Sequence, residues 1–212
     1  MRITKHEHAC LEIIRDDGAT LVIDPGSFSG RLTDVENVAA VVITHEHGDH
    51  WTAEHVADLR GRFPDTVVLG PAGVVEATGD GVVEVVAPGD AREAGGFRLE
   101  FFGGLHAQIH PSMPQVDNVG VLVDGMLYHP GDSVEPPGAP VDVLAVPVGG
   151  PWLKLGEAMD LVLAVRPRLV LAIHESHLSE SGMKLAERLL AGTVEGVGGR
   201  YVQLRPGDAF EV

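Results

Sequence analysis

The chain has 212 residues, 44% hydrophobic and 22% charged, with 31 acidic against 15 basic side chains and a formal charge of −16. That apolar share fills one domain core and excludes a disordered chain, and the acidity repels phosphate backbones and excludes a general nucleic-acid binder. The single cysteine, Cys10, excludes an intrachain disulfide, and no apolar run is long enough to span a bilayer.

The first eight residues lack the apolar segment of a secretory signal, so the expected location is the cytoplasm. Cys10 lies in the alternating stretch Ala9-Cys10-Leu11-Glu12-Ile13, which suits a small buried hydrophobe better than a nucleophile. Apolar runs at 11–14 and 20–23 flank Asp16-Asp17-Gly18 and read as a hairpin. Residues 38–44 form a continuous run rich in β-branched side chains, the pattern of a buried strand. A helix over 52–60 follows, with Val56 and Leu59 on one face, then a strand over 66–69 and a short helix over 71–77 opened by Pro71. Strands are expected at 82–86 and 97–102 around a Gly-rich turn, and at 119–123 and 126–128 around Asp124-Gly125. The last third alternates: strand 141–146, helix 155–165, strand 169–173, helix 181–190, and closing strands at 202–204 and 209–212. No linker or charge block divides residues 1–212, which read as a single domain of two face-to-face sheets covered by helices.

Several of these strands stop abruptly in polar residues: Ile23-Asp24-Pro25-Gly26, Ile43-Thr44-His45, His129-Pro130-Gly131-Asp132 and Ile173-His174. Rigid strand ends whose loops converge on one sheet edge present a site without burying polar groups in the core. The strongest signal is Thr44-His45-Glu46-His47-Gly48-Asp49-His50, with four candidate ligands directly after a buried strand. His45 and His47 point to one side of an extended segment, Gly48 lets the chain turn, and Asp49 and His50 aim at a second point. Imidazole and carboxylate without thiolate suit Zn²⁺, Mn²⁺ or Fe²⁺. One loop cannot close two sites, so further ligands must come from other strand ends. His106 and His110 are alternatives that the sequence does not separate; the two glycines before His106 favour it by permitting close backbone approach. Asp132 is a candidate bridging carboxylate, His174 a candidate final ligand, and Asp24 a candidate for orienting a ligand histidine through its ring N–H.

In this order, the motif His45-Glu46-His47-Gly48-Asp49-His50 with His106, Asp132 and His174 resembles the metallo-β-lactamase superfamily over almost the whole chain. The segments Ile3-Thr4-Lys5-His6-Glu7-His8-Ala9-Cys10-Leu11, Ile23-Asp24-Pro25-Gly26 and Pro147-Val148-Gly149-Gly150-Pro151-Trp152 resemble its short metal-dependent hydrolases, the group akin to ascorbate-6-phosphate lactonase. The resemblance implies an α+β fold, a four-layer αββα sandwich of two mixed sheets with metals at one edge. It implies a first metal on His45, His47 and His106, a second on Asp49, His50 and His174, and Asp132 between them. No cysteine stands at a ligand position, no long inserted arm for gripping tRNA is visible, and the flavodoxin domain of the diiron branch is missing.

The expected function is metal-dependent hydrolysis of a small ester-like substrate, a lactone or a phosphodiester, by a hydroxide shared between two divalent ions, zinc first and manganese or iron as alternatives. Asp49 and Asp132 are the candidate catalytic carboxylates. His110, His129 and Trp152 are candidate substrate contacts, with Lys154 and His177 in neighbouring segments. The expected partner is a small molecule, with neither nucleic acid nor membrane, and a homo-oligomer is compatible. The alternative is a non-catalytic metal-binding protein of the same fold.

Overall fold

In the computed structural model, which describes residues 1–79 and 81–212, the apolar runs assemble into two seven-stranded sheets. The first has the order β14 (Ala209–Glu211), β1 (Arg2–Lys5), β2 (Leu11–Ile14), β3 (Thr20–Ile23), β4 (Val38–Val42), β5 (Val67–Gly70) and β6 (Val83–Val85). The second has the order β13 (Arg200–Tyr201), β12 (Leu169–Ile173), β11 (Val143–Pro147), β10 (Leu127–His129), β9 (Asp117–Val123), β8 (Phe97–Leu105) and β7 (Ala91–Ala94). Strands β3 to β6 run parallel, as do β10 to β13. Helices α1 (Ala53–Arg62) and α2 (Ala72–Thr78) cover the first sheet, and α3 (Leu155–Val165) and α4 (Glu180–Gly196) the second.

Period-two alternation sorts the side chains into these layers. Leu169, Leu171 and Ile173 of β12 enter the core between the sheets, while Val170 and Ala172 pack against α3 and α4. Ala40 and Val42 of β4 face the same central core, and Val38 and Val41 turn toward α1 and α2. Strands covered on both faces read as unbroken apolar runs, and the result is the expected αββα sandwich. Thr52 caps α1 by accepting from His55 N, and Ser179 caps α4 by accepting from Gly182 N.

Some expectations change. The strands at 82–86 and 97–102 do not pair around a shared turn: β6 ends the first sheet, and β8 pairs with β7 across Gly95-Gly96 in the second. Residues 202–204 are not a strand; β13 lies at Arg200–Tyr201, and Leu204 inserts into the central core instead. Helix α4 continues to Gly196 because Leu190 and Val194 extend its buried face. No described helix is long and apolar enough to cross a membrane.

The parallel strands β4, β10 and β12 end at one edge, the usual place for a site in such sheets. Hydrogen bonds sew the two sheets together there. Val119 N donates to Thr44 O at 2.9 Å, and His174 N donates to His8 O at 3.1 Å.

Candidate metal centre

The loop after β4 is fixed before its ligands are placed. Thr44 N and Thr44 Oγ1 both donate to the Asp24 carboxylate, each at 2.8 Å. Asp24 also lies 2.7 Å from His50 Nδ1, which leaves His50 Nε2 facing inward. Thr44 Oγ1 lies 3.1 Å from His45 Nδ1, so Asp24 orients His50 directly and His45 through the threonine hydroxyl. Gly26 lies against the same loop: a Cβ there would overlap the Asp49 carbonyl. Ser27 N and Trp51 Nε1 then tie down Gly48 O and Glu46 O at 2.9 and 2.8 Å.

The second sheet supplies the opposing wall. His106 follows β8, and its Nδ1 contacts Ala107 O, which directs Nε2 inward. Asp132 follows β10; Asn118 Oδ1 accepts from its backbone N–H at 3.0 Å, and Ala107 N donates to its carbonyl at 2.8 Å. The Trp152 indole N–H donates to Asp132 Oδ2 at 2.9 Å, with its ring 5.6 Å from those of His106 and His174. His174 ends β12 with φ of 63°.

These residues form two clusters whose candidate ligand atoms lie within 4.8 Å of one another: His45, His47, His106 and Asp132, and His8, Asp49, His50 and His174. Asp132 joins them. Its Oδ1 is 3.0 Å from His50 Nε2, and its Oδ2 is 3.2 Å from His106 Nε2 and 3.0 Å from His174 Nε2. Despite this proximity, His50 Nε2, His106 Nε2, His174 Nδ1 and Nε2, His8 Nδ1 and Asp132 Oδ1 are buried without a well-directed hydrogen bond. Buried polar atoms left so are costly, and nitrogen and carboxylate donors converging without thiolate fit divalent cations such as zinc.

The electrostatics agree. Burial pushes His8 down to about 4 and holds His45 and His47 below the usual imidazole range, so these rings stay neutral and keep a lone pair. Burial opposes charge on His50 as well, but the Asp132 and Asp24 carboxylates override it and hold its pKa well above the ordinary value. Burial likewise opposes ionisation of Asp132, yet His50, His106 and His174 hold it well below the carboxylate range. Asp49 is lowered against its own burial by the hydrogen bond from His8. A cation held between these groups would compete with the proton on His50.

All seven residues singled out as metal ligands converge here. Of the two alternatives, His106 joins the cluster; His110 sits on an exposed loop with Nδ1 2.7 Å from Ser112 Oγ. His129 does not face the site. It is fully buried, with Nε2 2.8 Å from Ala9 O and Nδ1 accepting from Gly131 N, so both ring nitrogens hold backbone and none is left for a substrate. Trp152 lines the site as an anchor of Asp132, and its polar atom is already used. Lys154 is exposed at the start of α3. His8, fully buried with Nε2 3.2 Å from Asp49 Oδ2, is a site residue that the spacing of the main motif could not reveal. It sits in the turn between β1 and β2, beside His6, and nothing in the sequence separates the two histidines.

Convergent histidines and carboxylates at one edge of an αββα sandwich define a metallo-hydrolase. The Beta-lactamase superfamily domain family matches residues 2–174. A Mycobacterium tuberculosis protein is 34% identical over 188 residues, covering 83% of this chain and 84% of its own length. A UPF0173 metal-dependent hydrolase of Enterococcus faecalis is 23% identical over 207 residues, covering 82% of this chain and 86% of its own. The structure of Igni18, a metallo hydrolase from Ignicoccus hospitalis, superposes with a TM-score of 0.76 at 20% identity, covering 100% and 98% of the two chains, and shows the shared fold. The chain belongs to the metallo-β-lactamase superfamily, as one of its metal-dependent hydrolases.

Proposed function

We propose that the protein hydrolyses a small ester-like molecule, a lactone ahead of a phosphodiester, at a site that holds two divalent cations, zinc ahead of manganese or iron. The observation that carries this reading is Asp132, whose two oxygens reach histidines of both clusters. When bound, the cations supply Lewis acidity and a water acidic enough to act near neutral pH.

The chain's own residues supply the rest. Asp132 and Asp49 provide the negative charge that gathers the cations. Asp24 and Trp152 hold His50 and Asp132 in their working orientation. Asp49, with a side chain 24% exposed against 3% for Asp132, is the carboxylate that an incoming water and substrate reach. At the mouth, Phe28 is exposed with its ring 5.0 Å from that of His8 and 5.8 Å from that of His177. Leu105, directly before His106, and Met113, in the loop that follows, are exposed too. Lys5, which donates to the His8 carbonyl beside the second cluster, is committed to Glu175. Apolar and neutral side chains around the opening favour a carbonyl ester over a phosphate, which would call for a Lys or Arg clamp.

The test is elemental analysis of protein purified without chelator, beside His47→Ala, with hydrolysis assays on a lactone series and on bis(p-nitrophenyl) phosphate. About two equivalents of metal per chain, lactone turnover above phosphodiester turnover, and loss of both metal and turnover in the variant are expected. Protein that carries no metal, and gains none on titration with zinc, manganese or iron, would overturn the proposal.

A further inference from the structure

We propose that His8 is a positioning residue for Asp49 and that the buried Lys5–Glu175 ion pair is the latch that holds it in place; this rests on the two-cation reading above. His8 sits in the turn between β1 and β2, fully buried, at φ 62°. Its Nε2 is 3.2 Å from Asp49 Oδ2. A ring nitrogen facing an ionised carboxylate carries the proton, so Nε2 donates and is not itself a ligand. One oxygen of Asp49 is thereby committed, and the plane of the carboxylate is set before a cation arrives.

The backbone of His8 explains why the ring stays there. Its N–H points to Glu175 Oε1 at 3.3 Å, and its carbonyl accepts from Lys5 Nζ at 2.9 Å and from His174 N at 3.1 Å. Lys5, 1% exposed, lies 2.9 and 3.0 Å from the two oxygens of Glu175. Lys5 belongs to the first sheet and Glu175 follows β12 of the second, so the pair spans the junction between the sheets beside the site. It also joins His8 to His174, two non-glycine residues in left-handed conformations, 62° and 63°, with ring centroids 3.9 Å apart. Such conformations persist where the surroundings over-determine them, and they cluster at functional sites. A buried ion pair adds little net stability compared with apolar packing. Beyond each other, the side chains of Lys5 and Glu175 engage backbone atoms of His8, which fits a role in holding position.

The experiment is calorimetric titration of chelator-treated protein with Co²⁺, following the cobalt visible absorption in parallel. His8→Ala should weaken the second equivalent by about ten- to hundredfold and leave the first within about threefold. His8→Gln, whose amide N–H replaces the Nε2 donor, should restore the second equivalent to within about threefold of wild type and return its absorption band. Lys5→Met should weaken the second equivalent in the same direction as His8→Ala. Should His8→Ala lose its native near-UV dichroism, His8→Leu, which fills the space without a donor, takes its place. Wild-type affinity for the second equivalent in His8→Ala or His8→Leu overturns the proposal. So does His8→Gln as weak as His8→Ala, since a direct ligand would not be rescued. Wild-type affinity in Lys5→Met removes the latch. A wild-type protein that takes up no second equivalent defeats the two-cation reading itself, an outcome distinct from these.

Discussion

Three of the site's imidazoles have one nitrogen tied to a protein group and the other turned inward: His50 to Asp24, His45 to Thr44 Oγ1, and His106 to its neighbour's carbonyl. That asymmetry sets which nitrogen of each ring faces the space a cation would occupy. Asp132 is held differently, by the Trp152 indole. Trp152→Phe keeps the aromatic wall and deletes only the N–H. Loss of a hydrogen bond to a charged group should cost about 1.5–3 kcal/mol in urea unfolding, and zinc affinity against a competing chelator dye should fall about tenfold to a hundredfold. A variant within twofold of wild type in zinc affinity would show that Asp132 does not need this anchor. The ligand loop was legible in sequence because His45, His47, Asp49 and His50 crowd one strand end. His8 was not, since Lys5-His6-Glu7-His8 gives no reason to prefer one histidine. His6 turns outward to pair with Glu12 at 3.1 Å, and only the backbone twist at His8 sends its ring inward. His129 misleads in the opposite way: it ends a strand as the ligands do, yet its two nitrogens serve the backbone.

At the scale of elements, strands buried on both faces announced themselves as apolar runs, while the edge strand β7 did not. β7 carries Arg92 and Glu93 because one face meets water, so its pattern resembles a loop. β1 holds the buried Lys5, and a charge inside a strand hides its register. The turn after β3 illustrates how neighbouring elements constrain the site. Gly26 packs so tightly on the loop after β4 that a methyl group would overlap the Asp49 carbonyl and the His50 amide. Gly26→Ala should therefore push apart the loop that carries four ligands, destabilising the fold by about 2 kcal/mol or more and reducing bound metal. Gly61→Ala, in α1 with open space around it, is the control and should stabilise by about 0.5–1 kcal/mol through helix propensity. Equal urea midpoints and equal metal content for the two variants would show that the close approach at Gly26 is not a constraint.

At the scale of the whole molecule, the candidate ligands come from both sheets: His45, His47, Asp49 and His50 from the first, and His106, Asp132 and His174 from the second. Cations held between them would act as a cross-link at the open edge of the sandwich, so stability should follow metal occupancy. At a free concentration a hundredfold above Kd, a bound cation adds about 2.7 kcal/mol, so chelation should lower Tm by roughly 5–10 °C. The pH dependence of the chelated protein has a defined sign on each side of the ordinary histidine value. Below it, the unfolded chain takes up protons that His8 refuses until about pH 4. Stability should therefore decline from about pH 6.5 toward 4, by on the order of 3 kcal/mol from His8 alone. His50 acts in reverse: its pKa is raised in the folded chain, so its contribution is complete below about 6.5 and is lost as pH rises through the folded value. The chelated protein should then be most stable near pH 6.5. Cations compete with the His50 proton, so the Tm difference between loaded and chelated protein should widen as pH rises above that point. Calorimetric scans from pH 5 to 9, with and without chelator, measure both curves. A constant difference across this range would mean that cation binding displaces no proton from His50, and that the carboxylates around it are not arranged to trade a proton for a metal.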